Sequence, residues 1–244
     1  MPRFFVEKES ISGSTVGIIG DDARHISRVL RMKPGEELVV CDQAGTDYNC
    51  RVETLDDGIV TLKVESSVPS LSEPTVKITL FMALPKGDKM DYVIQKAVEL
   101  GVNEIIPYSS SRCIVKLGEK DKAKKQERWA RIALEAAKQS GRGIIPRVGM
   151  PVSFREMLSL ARERELPMLF YEKERDVSLK GILAGRKFQS AAVIIGPEGG
   201  FEESEVSEAK AAGIPSVSLG ARILRCETAP GCAICAIMYE TDNI

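Results

Sequence analysis

The sequence predicts an α/β protein: a small β-barrel over residues 1–70, then a mostly parallel sheet with helices on both faces over residues 76–244. Three observations predict it. Before residue 70, five short strand-like runs follow one another closely, each bounded by a turn signal, which favours a small barrel. After residue 76, apolar strand-like runs alternate with helical ones, the pattern of a parallel sheet covered on both sides. Between the two, serines and prolines from Ser66 to Pro74 lie in a run without hydrophobic periodicity. Such a run marks a domain boundary, with the linker proper at residues 71–75.

In the first part, strands are expected at residues 3–6, 15–19, 37–41, 49–55 and 59–64. Asp57 and Gly58, between the last two, form a hairpin signal. One helix interrupts them at residues 21–32, with Asp21 or Asp22 to cap it and Ile26, Val29 and Leu30 as its apolar stripe. His25, Arg28 and Arg31 recur three apart on another side. That row reads either as a solvated face or as a phosphate-gripping surface, because one guanidinium grips two oxygens. Arg3 joins it if the first strand lies alongside.

In the second part, strands are expected at residues 76–84, 104–107, 167–171, 191–195 and 216–219. Helices are expected at residues 90–100, 122–140, 154–164, 203–212 and 230–239, the first closed by Gly101.

Composition narrows the function classes. Hydrophobic residues at 43% and charged residues at 28% are ordinary for a soluble globular protein. No segment has the run of about 18 apolar residues that a membrane helix needs. The opening MPRFFVEKES lacks the apolar centre of a signal peptide, so the expected compartment is the cytoplasm. The six cysteines are then expected as reduced thiols. Cys232 and Cys235 form a CxxC, but their neighbours are apolar, there is no second CxxC, and the single histidine is His25. They read as small core residues, and no metal site is expected. The net charge of −1 excludes crude attraction of polyanions over the whole surface. Residues 112–147, however, carry eleven Lys/Arg against four acids, a segment suited either to phosphates or to a solvated helix face.

Residues 191–229 carry the chemistry. Two apolar strands, residues 191–195 and 216–219, each run into a glycine-containing turn followed by a helix start. Ligands of open α/β sheets bind in the crevice beyond the carboxyl ends of the strands, so the two turns point to one small-molecule pocket. The first turn, Gly196-Pro197-Glu198-Gly199-Gly200, is neither a GxGxxG nor a P-loop. Glu202, Glu203 and Glu205 at the next helix start would repel a phosphate, so an uncharged or cationic ligand fits better. After the second turn, Thr228 is placed to cap the last helix. Arg225, beside that helix start, gains nothing from its dipole and needs a partner: Glu227 locally, or a substrate phosphate or oxyanion.

At these residues the chain resembles a known family. GPEGGF together with the LGARILRCETA segment is similar to the bacterial ribosomal RNA small-subunit methyltransferase E family of SPOUT (trefoil-knot) methyltransferases. Upstream, PRFFV, His25 with the VLRM after it, PKGDKMDYVIQKAVELGV at residues 85–102 and EAAKQSGRGIIPRV at residues 135–148 resemble the same family's blocks in the same order. The chain departs from the family's pattern at Ser111, where an acid is common, at Ala221 in place of a proline, and at Pro230-Gly231.

The resemblance implies a PUA-like RNA-binding barrel, a SPOUT α/β domain with a deep trefoil knot, and a homodimer with the site at the interface. The activity it implies is methylation of uracil N3 on a uridine of 16S ribosomal RNA with S-adenosylmethionine, the RNA being expected within a small ribosomal subunit. The cofactor wall then falls on Tyr171, on Ile195, Gly196 and Gly200, on Leu219, Gly220, Ile223 and Leu224, and on Thr228 and Ala229. Uracil N3 becomes a nucleophile only as the anion, so charge on the flanking carbonyl oxygens must be held. Arg225 is the candidate for that role, and Glu227 either orients it or acts as base. RNA phosphates are assigned to Arg3, His25, Arg28, Arg31 and Arg142. The competing readings are a non-catalytic ribosomal RNA-binding protein with the same fold, which intact glycines in both loops argue against, and an unrelated doubly wound nucleotide-binding enzyme.

Overall fold

The computed structural model describes residues 1–56 and 58–244, and the chain divides into two compact units. The first holds Met1–Glu73 with Ala137–Ile145; the second holds Pro74–Ala136 with Pro146–Ile244.

The first unit is one six-stranded sheet in the order β1-β4-β5-β6-β3-β2. Its strands are β1 (Arg3–Phe5), β2 (Ile11–Ser12), β3 (Thr15–Ile19), β4 (Glu37–Cys41), β5 (Thr46–Asp56) and β6 (Ile59–Pro69). All neighbours are antiparallel except β1 and β4. Phe4 and Val6 from one end of this order and Val16 and Ile18 from near the other belong to a single buried cluster with Leu38, Val40, Val52 and Leu62. A sheet whose distant strands share one core must curl around it, which is how a small sheet closes off its apolar face.

Three details differ from the sequence reading, and a fourth lies outside the described residues. Residues 66–69, expected as linker, are strand: Ser66 to Pro69 pair with Asn49 to Thr46, and Asn49 Nδ2 donates to Ser66 Oγ at 2.9 Å. Exposed on both faces, this part of β6 shows no alternation for a periodicity argument to find. The hairpin signal at Asp57 falls outside the described residues, while Asp56 pairs with Ile59 on either side of it. The helix expected at residues 21–32 is a short α1 (Gly20–Arg24) followed by a π-helical turn, His25–Val29. Asp21 and Asp22 make no cap; Asp22 accepts from Lys138 Nζ at 3.0 Å.

A buried ion pair ties residues 137–145 into this unit. Arg142 is 2% exposed and donates to both Glu73 carboxylate oxygens, at 2.9 and 2.8 Å. Glu73 also accepts from the backbone N–H of Gly143 (2.8 Å) and Ile144 (3.1 Å). Cys41 Sγ donates to Gly143 O at 2.8 Å.

The second unit is a parallel sheet ordered β10-β8-β7-β12-β11-β13, with β9 also on β8. The strands are β7 (Lys77–Ala83), β8 (Glu104–Ser109), β9 (Arg147–Val148), β10 (Val152–Ser153), β11 (Leu166–Phe170), β12 (Ser190–Ile195) and β13 (Ser216–Val217). After their first residues, β7 and β12 are buried at every position. Unbroken burial along a strand means that both faces of the sheet are covered. The covering helices are α2 (Lys89–Glu99), α3 (Glu119–Ser140), α4 (Phe154–Ala161), α5 (Leu179–Leu183), α6 (Glu203–Ala211) and α7 (Ala229–Glu240), with the last turn of α3 assigned to the first unit. The helix α2 ends as expected at Gly101, whose φ of +93° is the left-handed closure a glycine permits. The strands β9 and β10, two residues each, and α5, five residues, are too short for periodicity to reveal.

Cys232 and Cys235 lie exposed on α7 rather than in the core. The buried face of that helix is instead Ala233, Ile234, Ile237 and Met238, and apolar neighbours on both sides hid which face points outward. Among the described residues no helix is long and apolar enough to cross a membrane.

Breaking a buried ion pair leaves an uncompensated charge, at about 3–5 kcal/mol. Glu73→Ala is therefore expected to lower the unfolding free energy by an amount in that range, measured by urea titration followed by circular dichroism, with Glu73→Gln intermediate because its oxygen still accepts the two backbone N–H groups.

Candidate active site

Parallel register decides where the loops meet. Phe170, the last residue of β11, pairs with Ile195 at the end of β12 and with Val217 at the end of β13. The chain therefore leaves the sheet at residues 171, 196 and 218 on one level, and the loops that follow surround a single cavity of about 440 Å³. That volume is in the usual range for small-molecule sites. Phe170, Ile195, Val217, Leu219 and Leu224 give it apolar walls, while Glu172, Glu198, Glu227, Lys89, Arg222 and Arg225 bring charge.

Each loop is fixed by identifiable bonds. Tyr171 N–H donates to Val217 O (3.1 Å) and Ser218 N–H to Val177 O (2.8 Å), so the first and third loops are laced together. Glu174 is the staple beneath them. It is 9% exposed, and it accepts from the N–H groups of Arg175 and Asp176 at 3.0 Å each, from Val177 N–H at 3.4 Å, and from Ser216 Oγ. The Ser216 hydroxyl and these amides hold its carboxyl down to about 2. In the second loop Gly200 has φ +67°, and a Cβ there would lie 2.6 Å from Glu172 Oε1. Gly220 in the third has φ +107°, and a Cβ there would meet no protein atom within 4 Å.

The acids at the start of α6 have structural partners. Glu202 and Glu205 form a reciprocal capping box. Glu205, 5% exposed, also accepts from Ser111 N–H (2.9 Å) and Oγ (3.1 Å). Arg112 donates to Glu202 Oε1 (2.8 Å) and to Gly199 O (2.8 Å), clamping the glycine loop from outside.

Of the residues assigned to the cofactor wall, Tyr171, Ile195, Gly196, Gly200, Leu219, Gly220, Ile223, Leu224 and Ala229 line the cavity. Thr228 does not line it; it occupies the position before α7 in helical conformation (φ −90°, ψ −39°), with no capping bond from its side chain. Pro230 stands in the first turn of α7, where its missing N–H costs nothing.

Arg225 and Glu227 both line the cavity, but the expected ion pair between them is not among the described ones. Glu227 pairs with Lys89 instead: Lys89 Nζ lies 3.2 Å from Glu227 Oε2 and 3.1 Å from Glu198 Oε1. The two carboxylates hold the Lys89 ammonium above its ordinary range, Glu198 more than Glu227. Glu227 and Glu198 stay below the ordinary carboxylate range, as hydrogen bonds from backbone amides and Lys89 outweigh burial. Cys226 Sγ is 3.2 Å from Glu227 Oε2, and burial followed by that carboxylate pushes the thiol up to about 12. It stays protonated at neutral pH and is no nucleophile there. Lys89, Glu172, Glu198 and Arg222 were missed from sequence. The sequence signal for Lys89, Glu198 and Arg222 was their position inside the blocks at residues 85–102, 196–201 and 219–229, and for Glu172 its place next to Tyr171.

The basic residues separate. His25, Arg28 and Arg31 are exposed. They do not form the even row expected of an α-helix: a π-helical turn changes the angular spacing, and Arg31 lies beyond it with φ +53°. His25 meets the buried Phe4 edge to face at 6.1 Å. Arg142 is closed off by Glu73, and Arg3 is taken by Asp47 through two bonds of 2.6 and 2.7 Å. Neither guanidinium has a free fork for a phosphate. From residues 112–147, Arg112, Lys122, Arg128, Arg131, Lys138, Arg142 and Arg147 are ion-paired, and the excess charge falls on Lys116, Lys120, Lys124 and Lys125. No group of three or more His, Cys, Asp or Glu that could hold a metal occurs among the described residues.

Glu174 gives a pH signature. Its folded value of about 2 lies below its ordinary 4.5, so its stabilisation is present above pH 4.5 and is lost as pH falls toward 2. Urea midpoints measured across that window are expected to fall less in Glu174→Gln than in the wild-type protein, with the variant weaker at pH 7 by about 1–3 kcal/mol.

Comparison with known proteins places this geometry in a family. A family model described as an RNA methyltransferase domain matches residues 72–238, and one described as an RNA methyltransferase PUA domain matches residues 18–65. Ribosomal RNA small subunit methyltransferase E of Bacillus subtilis is 36% identical, over 99% of this chain and 98% of its own. A crystal structure of the Neisseria gonorrhoeae protein of that name, bound to S-adenosyl methionine, superposes with a TM-score of 0.85 at 35% identity, covering 98% of this chain and 97% of that one. A putative methyltransferase from Legionella pneumophila, solved with the same cofactor, superposes at 0.84 with 30% identity, covering 97% and 96%. With its curled first sheet and the cavity at the strand ends of its second, this chain belongs to the ribosomal RNA small subunit methyltransferase E family.

Proposed function

We propose that this chain transfers a methyl group from S-adenosylmethionine to N3 of a uridine in 16S ribosomal RNA. The observation that carries the reading is the cavity itself: three strand-end loops, two bent at left-handed glycines, around apolar walls lined also by carboxylates and by two arginines that have no ion pair among the described residues. The residues present fit the cofactor. Apolar side chains suit an adenine, strand-end amides and carbonyls suit its edges, and the Glu172 carboxylate, which has no ion pair among the described residues, suits a cation. S-adenosylmethionine, when bound, supplies an electrophilic methyl group.

The protein's part is to prepare uracil. Loss of the N3 proton leaves negative charge on the flanking carbonyl oxygens, and a preorganised cation in a cavity holds such charge far better than water does. Arg225 lines the cavity with no ion pair among the described residues, so its guanidinium is available for that role. The target base reaches the cavity unstacked from its helix. His25, Arg28 and Arg31 in the first unit, and Lys116, Lys120 and Lys124 with the half-buried Lys125 in the second, are the cations assigned to RNA phosphates. Arg3 and Arg142 keep structural roles.

The reading also takes the protein as a homodimer acting on the small ribosomal subunit in the cytoplasm, and as carrying a trefoil knot in its second unit. Support for a second copy comes from α7 and α2, which pack together and leave Cys232, Cys235, Tyr239 (71% exposed) and Tyr92 (52%) uncovered.

Nucleoside mass spectrometry of ribosomal RNA from cells lacking the protein tests the reading. N3-methyluridine is expected to disappear, to return with the wild-type gene, and to stay absent with Arg225→Ala. In vitro, Arg225→Ala is expected to slow methyl transfer about 100-fold or more. Persistence of N3-methyluridine without the protein overturns the assignment and favours a purely RNA-binding role.

A further inference from the structure

Lys89 is placed where nothing about folding rewards it. It is the first residue of α2, and a cation in the first turn of a helix opposes the dipole. Its side chain is 36% exposed, so solvent screening leaves its ion pairs little to add to stability. Yet its ammonium stands in the cavity between Glu198 and Glu227, 3.1 Å from one and 3.2 Å from the other. Glu198 is itself fixed, since Oε1 also accepts from Lys86 N–H at 3.1 Å. The ammonium is therefore aimed, and Glu227 is held beside it as an acceptor. Carboxylates take two of its three N–H groups, and the third meets only Cys226 Sγ at 4.0 Å, a weak acceptor that a substrate oxygen can replace.

We propose that Lys89 is a specificity-determining residue: its ammonium and the neighbouring Glu227 carboxylate form a donor–acceptor pair that reads a carbonyl oxygen and the adjacent N3–H of uracil. The inference rests on the function proposed above. Uracil presents acceptor, donor, acceptor along that edge, and the pair is complementary to half of it. Arg225, in the same cavity, supplies the second donor for the remaining carbonyl. Cytosine presents an amino group, a bare N3 and a carbonyl. Its N3 lone pair would face the carboxylate and its amino hydrogens the ammonium. Leaving such buried groups unpaired or opposed is how a site rejects a near-isosteric ligand. The arrangement also sets charge: with Lys89 between them, Glu198 and Glu227 present less negative potential to an incoming nucleotide.

The test uses RNA hairpins centred on the modified nucleotide, located by mass spectrometry of ribonuclease fragments of the ribosomal RNA, one with uridine and one with cytidine at that position. Affinity is read by fluorescence anisotropy, and cofactor affinity by calorimetry. The wild-type protein is expected to prefer the uridine hairpin about tenfold or more. Lys89→Met is expected to lose most of that preference while cofactor affinity changes by no more than a few-fold. Glu227→Gln, which keeps the shape of the side chain and gains an amide donor, is expected to gain affinity for the cytidine hairpin. This second variant stands if Lys89→Met fails to fold. Unchanged preference in Glu227→Gln, or in a folded Lys89→Met that still binds cofactor, overturns the proposal. Absence of N3-methyluridine formation by the wild-type protein overturns the underlying function instead.

Discussion

The pairing of Phe170 with both Ile195 and Val217 is the constraint on which the site depends. Parallel strands that end level must release their loops side by side, and no loop by itself makes the cavity. A slip of one residue in β11 would turn its buried side chains to the opposite face. Burial of all but one residue in each of β11 and β12 makes that slip costly, so the core of the second unit sets the position of residues outside it.

Around that constraint the carboxylates are divided by task. Glu174 and Glu205 are spent on backbone and side-chain donors and hold loops in place. Glu202 is occupied by Arg112. Glu172, Glu198 and Glu227 line the cavity, and Lys89 draws the last two together. The result is a site lined by both acids and the arginines Arg222 and Arg225, suited to a cationic cofactor and to a base that becomes anionic. The same economy appears in the first unit, where Arg3 and Arg142 are committed to Asp47 and Glu73 and the exposed His25, Arg28 and Arg31 are not buried with them.

Much of this was legible along the chain because it depends on neighbours. Burial of whole strands left apolar runs at β7 and β12, glycines marked the bends at residues 200 and 220, and Gly101 marked a helix end. Errors fell where local signals are ambiguous. The polar half of β6 read as linker because neither of its faces is buried. The π-helical turn after α1 read as α-helix because its apolar residues fit either spacing. On α7 apolar residues surround the helix, so periodicity could not say that Cys232 and Cys235 face outward.

By itself the sequence determined the two-part α/β plan, the glycine turns after the strands at residues 191–195 and 216–219, and the family blocks that point to ribosomal RNA methylation. These follow from short-range chemistry, since hydrophobic period, turn residues and motif order are all properties of contiguous residues. Only the tertiary structure decided partners. It gave Glu227 to Lys89 rather than to nearby Arg225, gave Arg142 to Glu73 across 69 residues, and freed Arg225 to face the cavity. The reason is physical: a charge pairs with whichever opposite charge the fold brings within reach, and nearness in the chain has little bearing on which that is.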